Sequence, residues 1–528
     1  MKRIIILASA LAVIFGMTQC DKNNNQSWRQ GSADSIAADT AEVKAEITRL
    51  PDTTFASVDN LVFELVKADT VTPAEIDINL NDYAGVEGIP VFRGTQRRDA
   101  DMHGTVKGTP SRIEKVWTFR TFSPSSERNK WGSGSGWNGQ PVFVHWPDSV
   151  VERFRREGAS LTDDFAADEI IQGSLAGHVY FINFETGKAS RHHFDLINTV
   201  KGSVSLDPDF TYPTLYVGQG IPCGAPFGCM AIDLVSQRQK FFHSDPRSWR
   251  SWGAFDSSPV VAGGFLFWPG ENGTFSKFSR RDGKIALHTA LRFKAKGGRA
   301  GGIESSVAIY RNYGYFGDNL GNILCVNLDT MRPVWYYNNH DDTDGSIVVA
   351  EENGSPVIYT GCEVDKQGQK GTCYFVKLNG LDGSLIWEQK IPSSRWDTPD
   401  QHFDGGQYAS PLLGHGDCEG LIFLPLCFTT SIPKGEFFAF DTATGEIRYR
   451  IPMVHYAWSS PVGFYNENNE LFIFQGDCAG NVYLIRGKTG EILFKERMGH
   501  NFESSPAVHG NSAVVGTRGN EIYRFDVK

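Results

Sequence analysis

With 528 residues, a formal net charge of −10 and a pI near 5.8, the chain has no cationic surplus to displace counterions from a polyanion, and no local run of Lys and Arg supplies one. Nucleic-acid binding is excluded as its principal role. Length alone suggests several domains, but an internal repeat overrides that prior and leaves a single folded region.

The chain opens with Lys2 and Arg3, an apolar run from Ile4 to Met17, and then Cys20. That run is too short to span a bilayer in the mature protein, and residues 1–20 have the layout of a secretory signal. Cys20 at the cleavage point resembles the acylated cysteine of a bacterial lipoprotein. Met17-Thr18-Gln19 departs from the usual box, which has Leu first and a small residue last. Residues 21–57 are rich in Asn, Ser, Ala, Asp and Thr, cannot bury enough apolar surface to fold alone, and read as a flexible tether. Residues 58–114 read as an extension packing on the domain that follows, with one predicted strand at 60–67.

From 115 to 528 the repeat takes over. Ser257-Ser258-Pro259, Ser459-Ser460-Pro461 and Ser504-Ser505-Pro506 open three clean copies. Gly139-Gln140-Pro141, Gly202-Ser203-Val204, Ser305-Ser306-Val307, Gly345-Ser346-Ile347 and Ala409-Ser410-Pro411 open five drifted ones. Each leads into a β-rich run, and most then pass a Gly-Asn or Gly-His turn into a strand such as GHVYFINF or GNVYLIRG. A Thr-Gly or Asp-Gly turn follows, as at Thr186-Gly187, Asp282-Gly283, Asp382-Gly383, Thr444-Gly445 and Thr489-Gly490, where glycine supplies the positive φ of a tight hairpin. A last strand such as LIWEQK or EILFKE ends the unit. Four short strands per unit of ~50 residues predict an all-β fold, an eight-bladed β-propeller of four-stranded antiparallel blades. The final copy stops at Lys528 after three strands, while 115–122 (KVWTFRTF) is a strand without a unit of its own. It is expected to complete the last blade and close the ring, which removes an open sheet edge.

The aromatic two to four residues after the turn glycine, as in AFDTATGEIRYR and KLNGLDGSLIWE, resembles the tryptophan-docking repeat of quinoprotein-type, PQQ-like eight-bladed propellers. IPVFRGTQRRDADMHGTV is similar to the segment that leads into their first strand, and the resemblance runs from about residue 82 to the C-terminus. A quinone enzyme of that family would place a disulfide of adjacent cysteines over the quinone, a Trp beneath it, and Glu, Asn and Asp on a calcium ion with a second Asp as base. No two of the nine cysteines are adjacent and there is no C-x-x-C-H haem site, so no catalytic residue carries over and PQQ is not expected. With its lipoprotein-type signal, the chain is similar to the propeller lipoproteins of the outer-membrane β-barrel assembly machine, the BamB family. That likeness implies an outer-membrane-anchored, non-catalytic scaffold that binds a protein partner in the bacterial envelope. Two alternatives are a PQQ- or metal-dependent oxidoreductase with its site over the channel, and a glycan-binding surface module. The second rests on the tryptophans of the inter-blade segments, Trp131, Trp137, Trp249, Trp252, Trp396 and Trp458, most of which are expected to pack between blades.

Without Cys20, eight cysteines remain for an oxidising compartment. Cys223 with Cys229, and Cys362 with Cys373, each bracket a short glycine-containing loop and are the expected disulfides. Cys325 lies inside an apolar strand and reads as a small buried hydrophobe, whereas Cys418, Cys427 and Cys478 have no assignable partner. Aligned repeats place Asn138, Lys201, Asp256, Glu304, Asp344, Tyr408, Trp458 and Glu503 at one equivalent position, hence in a circle at the channel mouth. Asp256, Glu304, Asp344 and Glu503 are candidate ligands for a cation, calcium in the first instance, because like charges at close range call for a counterion. His340 to Glu351 also spaces Asp342 and Asp344 as in a calcium loop. His340 occupies the first ligand position and SIVVA reads as strand, so a polar turn is expected there. The recurring serines, with no base tied to them by spacing, read as strand-opening hydrogen bonders rather than nucleophiles.

Overall fold

The computed structural model describes residues 47–67, 74–100, 103–122, 132–137, 139–245, 247–399 and 402–528. The signal, Cys20, Trp131, Asn138 and most of the tether lie outside them. The period-2 patterning of the repeats produces eight antiparallel sheets in chain order, each a blade of four strands running outward from the channel. Blade 7 is representative, with Val462–Tyr465, Leu471–Gly476, Asn481–Arg486 and Ile492–Arg497. Its two middle strands are almost wholly buried and its outer strand largely exposed.

The ring closes as the repeat count requires. Ile113–Arg120 pairs antiparallel with Glu521–Val527, setting Trp117 opposite Arg524. The closing strand starts two residues before 115, because Ile113 is 3% exposed and pairs with Val527 in the core shared by blades 7 and 8.

Neighbouring blades are tied by the docking aromatics. Trp387, on the outer strand of blade 5, donates from Nε1 to the carbonyl of Thr442 at 2.9 Å and lies flat on Gly445 of blade 6. Trp335 on Gly383, Tyr449 on Gly490 and Trp117 on Gly187 repeat the contact. The turn glycine therefore answers two demands, a left-handed φ (77° at Gly445) and room for a ring. A Cβ at Gly445 would come within 2.7 Å of Trp387. Gly445→Ala is expected to cost about 2–4 kcal/mol, overlap added to strain. Gly354→Ala, at φ 78° with nothing within 4 Å, should cost only the strain, about 1–2 kcal/mol. Denaturant unfolding of the two variants checks the difference.

The extension before the ring is woven into it. Leu61–Lys67 adds a fifth, outermost strand to blade 3 along Lys284–Ala295. Gly88–Ile89 pairs with Val142–His145 of blade 1, and Gly104–Thr105 runs parallel to Val462–Tyr465 of blade 7. One helix, Asp148–Glu157, interrupts blade 1 and buries Val150, Val151 and Phe154. Among the described residues no helix is long and apolar enough to cross a membrane.

Neither expected disulfide is present, since all eight described cysteines are free thiols. Cys229 is fully buried in the core between blades 2 and 3, whereas Cys223 sits half-buried on its loop. Cys229 thus plays the small-hydrophobe part expected of Cys325. Cys362 and Cys373 are hydrogen-bonded neighbours inside blade 5, unbridged.

Candidate functional site at the channel mouth

The central channel is filled by the chain itself. Between its two short strands, the segment 90–98 contacts the inner strands of several blades. The backbone of Leu206, Ile309 and Val349 donates to the carbonyls of Pro90, Gln96 and Arg97 at 2.7–3.0 Å. Arg93 donates to the carbonyls of Pro461 and Pro411 at 2.8 and 2.9 Å, and Arg98 to those of Val307, Phe92 and Ser258 at 2.8–3.0 Å. Both guanidiniums are buried, and burial pulls them down to about 9 and about 10. Planar forks meeting several carbonyls suit Arg better than any other cation.

Above this plug the second residue of each blade's opening forms a belt. Ser258 donates from its N–H to Ser306 Oγ, Ser306 to Ser346 Oγ, and Ser410 to Ser460 Oγ, each at 2.9 Å. The repeated hydroxyls therefore join successive blades.

Above the belt lies the predicted circle. A cavity of about 30 Å³ is floored by Phe92 and lined by Asp256, Glu304, Asp344, Tyr408 and Trp137. Lys201 pairs with Asp256, reaches Glu304 at 3.6 Å, and stands 4.0 Å over the Trp137 ring. Burial opposes its charge, but Asp256, Glu304 and Glu271 more than compensate and hold it above the ordinary lysine value. On the far side Tyr408 stacks on Trp458 at 4.6 Å, and Trp137 meets Trp458 edge-on at 5.4 Å.

Three of the four expected cation ligands thus share one cavity, but the circle is not one ligand set. Glu503 is held by Arg518 at 3.1 Å and Asn501 at 2.8 Å. Asp256 and Glu304 cluster with Glu271, where Lys201 and Arg250 supply positive charge. Asp344 clusters with Asp342 and Glu363. The alignment that found the circle missed Glu271, Glu363 and Arg518. They stand at a second equivalent place, one or two residues past the end of each second strand, where Asp318 and Asp477 also fall. Registering the repeats on that strand end would have revealed them.

No family model matches the sequence, and no curated protein does. Solved structures with a similar course include a quinohemoprotein alcohol dehydrogenase from Comamonas testosteroni, at TM-score 0.58 and 15% identity, covering 85% of this chain and 82% of that one. BamB from Moraxella catarrhalis gives TM-score 0.46 and 14% identity, covering 79% and 100%. A europium-containing methanol dehydrogenase gives 0.43 and 14%, covering 83% and 98%. The fold is therefore plain: an eight-bladed propeller following the course of that quinohemoprotein alcohol dehydrogenase. At these identities the likeness extends to the fold and no further.

The described residues at the mouth do not fit the quinone that this fold brings to mind. The space measures about 30 Å³, against several hundred Å³ for pockets that bury a ligand of several rings. Trp137, Tyr408 and the Lys201–Asp256 pair already line it.

Proposed function

We propose that the protein is a non-catalytic propeller scaffold, lipid-anchored through Cys20 in the outer membrane, that binds a protein partner in the bacterial envelope, with outer-membrane protein assembly as the process served. The observation carrying this reading is the self-filled channel, whose small cup at the mouth leaves recognition to the surface loops. The loop between blades 2 and 3 offers the best anchors. Trp249 and Trp252 are 36% and 38% exposed, and Trp252 donates to Glu271 at 2.7 Å. Arg292 and Lys294 stand over Trp249. A preorganised Trp and Arg surface is what interface hot spots are made of.

The test is site-specific crosslinking in intact cells, with the probe placed at Trp249 and, as control, at Val116 on the outer edge of blade 8. One discrete partner product is expected from the first site only. Trp252→Ala should weaken it by about 2 kcal/mol in affinity. Equal products from both sites, or dye-linked alcohol or sugar oxidation after reconstitution with PQQ and calcium, would overturn the proposal.

A further inference from the structure

The junctions after blades 4, 5 and 6 each close on the residue just past the bulge of the outer strand. Trp335, Trp387 and Tyr449 hold that place and donate to the carbonyls of Gly380, Thr442 and Gly487 in the next blade at 2.6–2.9 Å. In blade 2 the outer strand, Arg238–His243, bulges at Lys240, and the place falls to Phe241, which has no polar tip. It packs on Phe278 at 5.6 Å. Gly283 of blade 3, the turn glycine that a docking ring would cover, meets Tyr212 instead, from the turn between the first two strands of blade 2.

A cavity of about 320 Å³ opens at this junction. Its walls are the turn 207–214 of blade 2 with Lys240, the turn 280–285 of blade 3, and residues 80–82 of the extension. Both turns lie at the strand ends remote from the channel mouth, so the cavity is on the opposite face. Its volume stands at the lower end of the roughly 300–1,000 Å³ of small-molecule pockets, room for a single ring.

The lining is apolar at the rim and polar within. Leu80 and Tyr212 are 47% and 37% exposed beside the opening. Lys240 is half-buried in the wall, and its ammonium donates to Thr214 Oγ1 at 2.5 Å, which in turn donates to the carbonyl of Tyr212. Among the described residues no carboxylate lies within 4.0 Å of that ammonium. Burial pulls the amine below the ordinary lysine value, and Asp233, Asp207 and Asp209 offset this only in part from farther off. The acids of the lining differ in how far they are engaged. Asp207 is held by Arg280 and Tyr216, and Asp82 accepts from the N–H of Gly263 at 2.7 Å. Asp209 and Asp282 are exposed, and among the described residues each keeps a carboxylate oxygen without a protein donor.

A half-buried ammonium without a counterion calls for an anion, and the apolar rim calls for a ring face. Open carboxylate oxygens around them suit hydroxyl donors. We propose that this cavity binds an acidic sugar residue, a uronic acid, with its ring against Tyr212 and Leu80, its carboxylate on Lys240 and its hydroxyls toward Asp209 and Asp282.

D-Glucuronic acid is the probe, titrated against the full chain by saturation-transfer NMR, and saturable binding is expected. Its methyl ester keeps the ring and loses the charge, so it should bind about tenfold more weakly, as should the free acid to Lys240→Met. Benzoate, a ring and a carboxylate without hydroxyls, should also bind about tenfold more weakly. Tyr212→Ala should lower the affinity for the free acid to a similar degree. The comparison of ligands uses the parent protein and depends on no variant folding. No saturable binding of glucuronic acid, equal affinity for acid and ester, benzoate binding as tightly as the sugar, or parent affinity kept in Lys240→Met would overturn the proposal.

Discussion

Arg98→Ala is expected to lower the stability of the ring by about 3–5 kcal/mol, because one truncation leaves three buried carbonyls, those of Val307, Phe92 and Ser258, without donors. The backbone at Arg98 is left-handed, at φ 59°, and so is that at Arg93, also at 59°. Conformations of this kind cost about 1–2 kcal/mol at a residue with a Cβ and persist where surrounding contacts hold them. The guanidinium forks are those contacts. Arg98→Lys should rescue little, since an ammonium on a flexible stem cannot span three fixed carbonyls. Denaturant unfolding reads the loss of stability, and limited proteolysis between residues 88 and 100 reads the loosened plug. A midpoint unchanged in Arg98→Ala, with the segment still protected, would mean that the apolar contacts of Val91 and Phe92 hold the channel closed by themselves.

The second large effect is a pH dependence set by Glu271. Its carboxylate lies within 4.8 Å of oxygens on Asp256 and Glu304, and accepts from Arg250 at 2.8 Å and Trp252 at 2.7 Å. Burial, then Glu304 and Asp256, push it up to about 10 against the pull of Lys201 and Arg250. A carboxyl raised on folding binds its proton more tightly in the folded chain than in the unfolded one. Its stabilising contribution is complete below the unfolded value of 4.5 and drains away as pH climbs toward the folded one. Glu271→Gln keeps the shape and removes the titration. Relative to the parent, it should gain about 2–4 kcal/mol between pH 5 and pH 8. Parallel stability curves for the two proteins across that range would show that Glu271 is ionised throughout.

The helix Asp148–Glu157 shows how a periodic expectation overrides local signal. SVVERFRR carries apolar residues at helical spacing, Val150, Val151 and Phe154, and its glycine at 158 adopts φ 78° as a helix terminator should. Inside a chain scanned for strands it passed unnoticed. The opposite happened at the mouth. The circle of Lys201, Asp256, Glu304, Asp344, Tyr408 and Trp458 was legible because rotation about the ring axis makes equal repeat positions equal places in space. Glu363 was not, since its place beside Asp344 depends on the pairing of Glu363–Val364 with Gly405–Gly406 across two blades. The cysteine pairs failed for a related reason. Spacing along a loop says nothing about which way a side chain faces, and Cys229 faces the core.

What the chain's own letters determined is the number of blades, the order of their strands and the closure by a strand that precedes the first unit, because turn glycines and alternating apolar residues act over a few neighbours at a time. Folding alone decided that the segment 90–98 enters the channel and that acids from separate blades divide into two groups, one paired with Lys201 and Arg250 and the other touched by a cation only where Lys366 reaches Asp342. Those outcomes depend on distances between residues hundreds of positions apart, such as Arg93 and Pro461, and a distance of that kind exists only once the ring has shut.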